Sequence, residues 1–163
     1  MNTLIIYASR YGCTRDCSEY LKNHLDGEVT LISIEEKIPN INKFDNIIIG
    51  GSIYMGKIQR SVLSFCKRNR DILMKKSTGF FICCYTPKET DKFIEKFFEK
   101  DILNHARCIA IFGGEMRYEK MNILYRKLFS SLNRIEDYRK NFQEPKIDYD
   151  EIDSFAKIMN LSD

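Results

Sequence analysis

Apolar and polar positions alternate along the chain in a repeating order, strand-like stretches each followed by a stretch of helical period. Thr3 to Tyr7 is almost continuously apolar, and Cys17, Tyr20, Leu21 and Leu25 then recur about one helical turn apart. A buried strand, a tight turn and a helix are predicted. Asp26-Gly27 closes that helix, with Gly27 suited to a left-handed position, and Glu28 to Ile34 alternates through Val29, Leu31 and Ile34 as a second strand. Pro39 to Lys43 reads as loop. Phe44 to Gly51 predicts a third strand, β-branched on both faces, that stops at paired glycines.

Lys57 to Lys76 has helical spacing through Val62, Phe65, Cys66, Ile72 and Leu73, and Thr78 to Cys84 predicts the fourth strand. Thr86-Pro87-Lys88-Glu89 carries a helix start, with a capping hydroxyl, proline in the first turn and a box glutamate. That helix would carry Phe93, Ile94 and Phe97 and end near Asn104. Arg107 to Phe112 forms a fifth strand before Gly113-Gly114. Asp148 and Glu151 make a capping box for a last helix to Leu161, burying Ile152, Phe155, Ala156 and Met159. Five strands alternating with helices predict an α/β fold, a parallel sheet covered on both faces. Ligands of such sheets sit beyond the carboxyl ends of the strands.

At 163 residues and 44% hydrophobic, the chain is expected to form one packed domain, residues 1–163. No apolar run approaches the ~20 residues of a membrane span and no leader pattern precedes the first strand, so a cytoplasmic protein is expected. The six cysteines read as reduced, mostly buried thiols, because Cys83 and Cys84 are adjacent in a strand and Cys66 and Cys108 fall in core elements. With no Cys-x-x-Cys and with His24 and His105 placed on helix surfaces, no metal site is expected. Nor is a nucleic-acid partner.

Candidate chemistry collects in the loops after the strands. Ser9-Arg10-Tyr11-Gly12-Cys13-Thr14 lies between the first strand and its helix, where unpaired N–H groups and the positive end of the helix dipole favour a phosphate. The competing reading is a simple cap by Ser9 and Thr14. Arg10 pairs with the phosphate or faces solvent, and Cys13 is a small loop filler or a thiol switch. No Gly-x-x-x-x-Gly-Lys-Ser/Thr is present, which argues against a nucleoside-triphosphate loop. In Ser52-Ile53-Tyr54-Met55-Gly56 the glycine permits close approach to a flat ligand that the apolar side chains could cover, unless these only roof the sheet. Cys84-Tyr85-Thr86 and Gly114-Glu115 close the rim, with Thr86 open to helix capping instead. Ser9 and Gly50 stand where a phosphoacceptor receiver would need acids.

The hydroxyl-x-x-Gly-x-Thr pattern at Ser9 to Thr14, directly after the first strand, resembles the phosphate loop of the flavodoxin family. That resemblance implies a flavodoxin-like sheet of order 2-1-3-4-5 and FMN as cofactor. Ser9, Arg10, Tyr11, Gly12, Cys13 and Thr14 would hold the phosphate, and Ser52 to Gly56 would lie against the flavin ring. Cys84, Tyr85, Thr86, Gly114 and Glu115 would lie at its remaining edge. Against that family, residues 115–146 are surplus, an inserted basic helical segment before the last helix. In it Met121, Leu124, Tyr125, Leu128, Leu132 and Ile135 repeat at helical spacing.

The insert carries eight Lys and Arg against five Asp and Glu, equal to the formal net charge of +3 for the whole chain. Electron-carrying flavodoxins are generally acidic, so the charge points instead to an anionic small substrate or an anionic membrane surface touching 118–140. Ser9 to Arg15, Ile49-Gly-Gly-Ser-Ile-Tyr-Met-Gly56 and Gly113-Gly-Glu-Met-Arg-Tyr118 with the tyrosine-bearing basic helix resemble the flavodoxin-type, menaquinone-dependent protoporphyrinogen oxidases of bacteria. The implied reaction takes hydrogen from a reduced substrate to the flavin and on to a quinone, with Arg117 and Tyr118 holding a substrate carboxylate. The alternatives are an electron carrier docking on a redox protein partner and a cofactor-free interaction module.

Overall fold

Strand β1, Asn2–Tyr7, places Leu4, Ile5 and Ile6 out of contact with solvent, and the pleat sends them to opposite sides. Leu4 and Ile6 join one apolar cluster with Ile47, Ile49, Phe80 and Ile82, while Ile5 joins another with Ile48, Phe81, Ala110 and Phe112. A near-continuous apolar strand is thus the sequence consequence of a sheet buried on both faces. The computed structural model describes residues 1–54, 56–84, 94–95, 98–132, 134–136, 140 and 144–161.

β2, Glu28–Ser33, and β3, Asn46–Tyr54, flank β1 in parallel, and β5, Ser77–Cys83, pairs with β3 and then with β6, Cys108–Ile111. The five parallel strands therefore run β2-β1-β3-β5-β6, the expected 2-1-3-4-5 order. The additional strand β4, Lys57–Ile58, turns back antiparallel onto Ile53 and Tyr54 through Gly56, whose φ is +68°.

The paired glycines do not end the third strand, contrary to the sequence expectation. Gly50 continues pairing with Tyr7 and Phe81, and any Cβ there would overlap the Phe81 ring from the neighbouring strand. Glycine serves close packing at that point rather than termination.

Helices α1, Cys13–Lys22, and α6, Tyr149–Asn160, cover one face. The expected cap and buried stripe of the last helix are both present: Asp148 accepts from the Glu151 N–H at 3.0 Å, and Ile152, Phe155, Ala156 and Met159 are buried. Helices α2, Arg60–Arg68, α3, Arg70–Leu73, and α4, Lys100–His105, cover the other face through Val62, Phe65, Leu73 and Ile102.

The single helix expected over 57–76 is instead β4, α2 and α3. Asn69 ends α2 by donating from its side chain to the Phe65 carbonyl at 2.9 Å, competing with the helical ladder as a short amide can. Thr86, Phe93 and Phe97 lie outside the described residues. The helix predicted to reach Asn104 is interrupted by extended Glu99, φ −64° and ψ 134°, before α4 begins.

The insert is pinned at its base. Gly114 N–H donates to the Lys146 carbonyl at 3.2 Å and Asp148 N–H to the Phe112 carbonyl at 3.0 Å, with a bridge between Gly113 and Ile147. Within it lie a short 3-10 turn, Tyr118–Lys120, and α5, Ile123–Leu132. Met121 is buried, but Ile123, Leu124, Leu128 and Ile135 are exposed, so the expected apolar stripe of the basic helix does not face the core.

Candidate functional site

The carboxyl ends of β1, β3, β5 and β6 meet at one rim. Leaving β1, Ala8 N–H bonds the Gly50 carbonyl at 3.0 Å and Gly12 N–H bonds the Ser9 hydroxyl at 3.1 Å, curling Ser9 to Gly12 into a tight loop. Gly12 has φ +96° and stands as N-cap of α1 without a side-chain acceptor. The first-turn N–H groups of α1, including those of Cys13 and Thr14, are consequently uncapped by side chain and gathered at the loop. The reading in which hydroxyls cap this helix does not describe the geometry, since Ser9 bonds Gly12 rather than the helical turn. The donor set suits a phosphate.

Arg117 lies over this loop. A Cβ on Gly12 would come 2.7 Å from its guanidinium, which is paired to Asp16 and Glu115, each at 2.7 Å. Burial by itself would raise the Asp16 pKa, but the Arg117 hydrogen bond and charge, aided by Arg15, hold it below the ordinary carboxylate value. The Arg117 pKa is raised in turn: burial acts to lower it, and Glu115 and Asp16 outweigh that. Arg10 sets its guanidinium over the Tyr11 ring at 5.5 Å and the Tyr125 ring at 5.6 Å, tying the loop to α5.

At the second loop, Ser52 N–H donates to the Gln59 side-chain oxygen at 2.9 Å, while the Gln59 amide donates to the Ser52 hydroxyl at 2.6 Å and to the Ala8 carbonyl at 3.3 Å. Gln59 therefore locks the hairpin to the end of β1. Sequence reasoning missed it, because its role depends on the fold-back of β4. Ile53 packs against the core cluster beneath the rim. Tyr54 ends β3, Gly56 makes the turn, and Met55 lies outside the described residues. Cys84 N–H bonds the Gly113 carbonyl at 2.7 Å, and a Cβ on Gly114 would lie 2.8 Å from the Cys84 carbonyl, so the last two loops abut. Tyr85 and Thr86 are outside the described residues.

The two expected substrate residues part company. Arg117 turns to the phosphate loop, whereas Tyr118 stacks edge-on against Phe129 and lines a concavity of about 510 Å³ with Ile123, Arg126, Lys127 and Ser130. A second grouping was invisible in the sequence. The sulfurs of Cys13, Cys17 and Cys83 lie within 4.8 Å of one another just behind the loop. Hydrogen bonds from the Cys17 and Cys83 thiols, then the Glu115 N–H and the Arg117 charge, hold the Cys13 thiol well below its usual range, and the same sharing pushes Cys17 and Cys83 up. Only the i, i+4 spacing of Cys13 and Cys17 could have hinted at it.

The family model of the flavodoxin domain matches residues 4–143. The chain belongs to the flavodoxin domain family. Among curated relatives of this flavodoxin-domain chain is the protoporphyrinogen IX dehydrogenase [quinone] of Escherichia coli (strain K12), 22% identical, the alignment spanning 100% of this chain and 97% of the relative. Among solved structures, the two-electron reduced flavodoxin of Megasphaera elsdenii superposes with a TM-score of 0.54 at 17% identity, over 67% of this chain and 84% of its own. The Lactobacillus acidophilus flavoprotein in complex with FMN gives 0.53 at 16%, over 68% and 92%. Among the described residues no helix is long and apolar enough to cross a membrane.

Proposed function

We propose that this flavodoxin-domain protein binds FMN noncovalently at the rim and passes hydrogen from a reduced, carboxylate-bearing substrate of the protoporphyrinogen type through the flavin to a quinone. The observation that carries the reading is the open, glycine-capped N-terminus of α1, tied to the basic helix of the insert through Arg10 and Tyr125. The full-length alignment with a quinone-linked protoporphyrinogen IX dehydrogenase and the fold shared with an FMN-containing flavoprotein support it.

The flavin supplies the hydrogen acceptance and the onward electron delivery. The chain's own residues do the rest. Ser9, Thr14 and the N–H groups of Tyr11, Cys13 and Thr14 would hold the phosphate, and Arg117, already poised over Gly12, would turn part of its hydrogen bonding toward it. Gln59 fixes Ser52, which would offer a held edge to the ring. Cys84 and Gly114 would line the opposite edge. Arg126 and Lys127, beside Tyr118, receive the substrate carboxylates, a refinement of the earlier assignment to Arg117 and Tyr118. No side chain is assigned as general acid or base.

Ile123, Leu124 and Leu128 are exposed on the helix that carries Arg126 and Lys127, which favours peripheral contact with an anionic membrane surface at the inner face of the cell, where quinone resides. The test is anaerobic incubation of FMN-loaded protein with protoporphyrinogen and a menaquinone analogue, followed by porphyrin fluorescence. Quinone-dependent formation of porphyrin, lost in Arg126→Ala/Lys127→Ala through a raised KM, supports the reading. Firm FMN binding without turnover returns the protein to the electron carriers. Failure of the folded chain to bind FMN removes both.

A further inference from the structure

We propose that Cys13, Cys17 and Cys83 form a three-sulfur site for a soft monovalent cation, Cu(I) being the biological representative. Three sulfurs within 4.8 Å of one another need only a slight contraction to surround one ion, since sulfur ligands at about 2.3 Å in a trigonal array sit about 4 Å apart. They come from two fixed elements, Cys13 and Cys17 from successive turns of α1 and Cys83 from the last position of β5.

The ligand set selects the metal class. Among the described residues no histidine or carboxylate belongs to the group, so Mg²⁺ and Ca²⁺, which require oxygen, are excluded. Zn²⁺ closes four-coordinate structural sites, and a fourth protein ligand is missing from the trio. Cys17 and Cys83 are buried in one apolar cluster with Ile5, Leu21, Ile48, Phe81 and Phe112, and Cys13, half-buried against that cluster, is the most accessible of the three. All-sulfur, low-coordinate and shielded from water, the site matches the preferences of Cu(I). The negative charge of the bound thiolates would face the N-terminus of α1 and the nearby Arg117, both favourable.

Helix geometry argues against the obvious competitor for the first pair. Side chains four apart on a helix have Cβ atoms about 5–6 Å apart, beyond the roughly 3.5–4.5 Å of a disulfide. A central ion bridges that gap without unwinding the turn. Because Cys13 opens the first turn of α1, an ion held there would tie the rim loop to the end of β5. The site stands independently of the FMN reading.

The experiment is titration of the full-length chain, reduced and anaerobic, with Cu(I) buffered by a chromogenic Cu(I) chelator, followed by X-ray absorption of the loaded protein. One chelator-resistant Cu(I) per chain with three sulfur scatterers is expected. Cys17→Ala and Cys83→Ala, each verified as folded by circular dichroism, should lose the resistant ion, and Cys66→Ala and Cys108→Ala should keep it. Copper held by two sulfurs, equal retention by Cys17→Ala, tighter uptake of Zn²⁺ with a nitrogen or oxygen ligand, or no uptake by wild type would each overturn the assignment. So would quantitative closure of a Cys13–Cys83 disulfide in place of metal binding.

Discussion

Arg117 shows how one side chain can join two parts of the molecule that are about a hundred residues apart in sequence. It reaches from the insert to Asp16 on α1 while crowding Gly12, so its charge is already committed when a phosphate arrives. Charge-assisted hydrogen bonds contribute about 1.5–3 kcal/mol, and 1.4 kcal/mol is tenfold in affinity. Arg117→Ala should therefore weaken FMN about 10–100-fold in a fluorescence titration while leaving riboflavin, which lacks the phosphate, within about twofold. Equal losses for both flavins would place Arg117 elsewhere.

Asp16 supplies the pH dependence at this scale. Its pKa in the folded state lies below the ordinary value of about 3.9. The Arg117 pairing therefore stabilises the fold above that value, and the contribution is lost as pH falls through the depressed folded pKa. The difference in Tm between wild type and Asp16→Asn should be present at about pH 6 and shrink below about pH 4, as melts across the acid range would show.

At the scale of elements, α6 offers the cleanest link from sequence to stability. Asp148 bonds the Glu151 N–H, and such caps contribute about 1 kcal/mol. In a chain of this size Asp148→Ala should lower Tm by about 2–4 °C, measured by calorimetry, without altering flavin affinity. The cap and the buried stripe of α6 were legible because each depends on a few neighbouring residues; Gly27 does take a positive φ, but α1 ends earlier, at Lys22 with Asn23 as its cap, so that glycine does not close the helix. The strand order followed from the resemblance.

Less local features were not legible. Gly50 reads as a strand stop until Phe81 is seen pressing on it, Asn69 reads as one polar residue within a helix, and Gln59 acquires its role only after β4 folds back. The amphipathic spacing of the insert is real, yet Leu124 and Leu128 stay exposed, because period reports a face and not what covers it. The meeting of Cys13 and Cys17 with Cys83 required β1, β3 and β5 to be ordered side by side first.

For the molecule as a whole, ligand binding and folding are linked through the rim, since loops from four strands contribute to it. A ligand at 100 times its Kd adds about 2.7 kcal/mol to the folded state. FMN at that level should raise Tm by about 5–10 °C, and riboflavin at the same concentration by less, in a thermal-shift assay read by intrinsic tyrosine signal. The absence of any shift with FMN would count against the rim as the flavin site.

The paired glycine, lysine and isoleucine at the root of residues 115–145 mean that this excursion departs and returns at one spot. Such a segment is modular: joining Gly114 to Lys146 through a brief linker should leave the sheet, β4 included, in a scaffold that still refolds, and grafting the excised piece onto a simple electron carrier at the same seam becomes a practical way to move specificity between proteins.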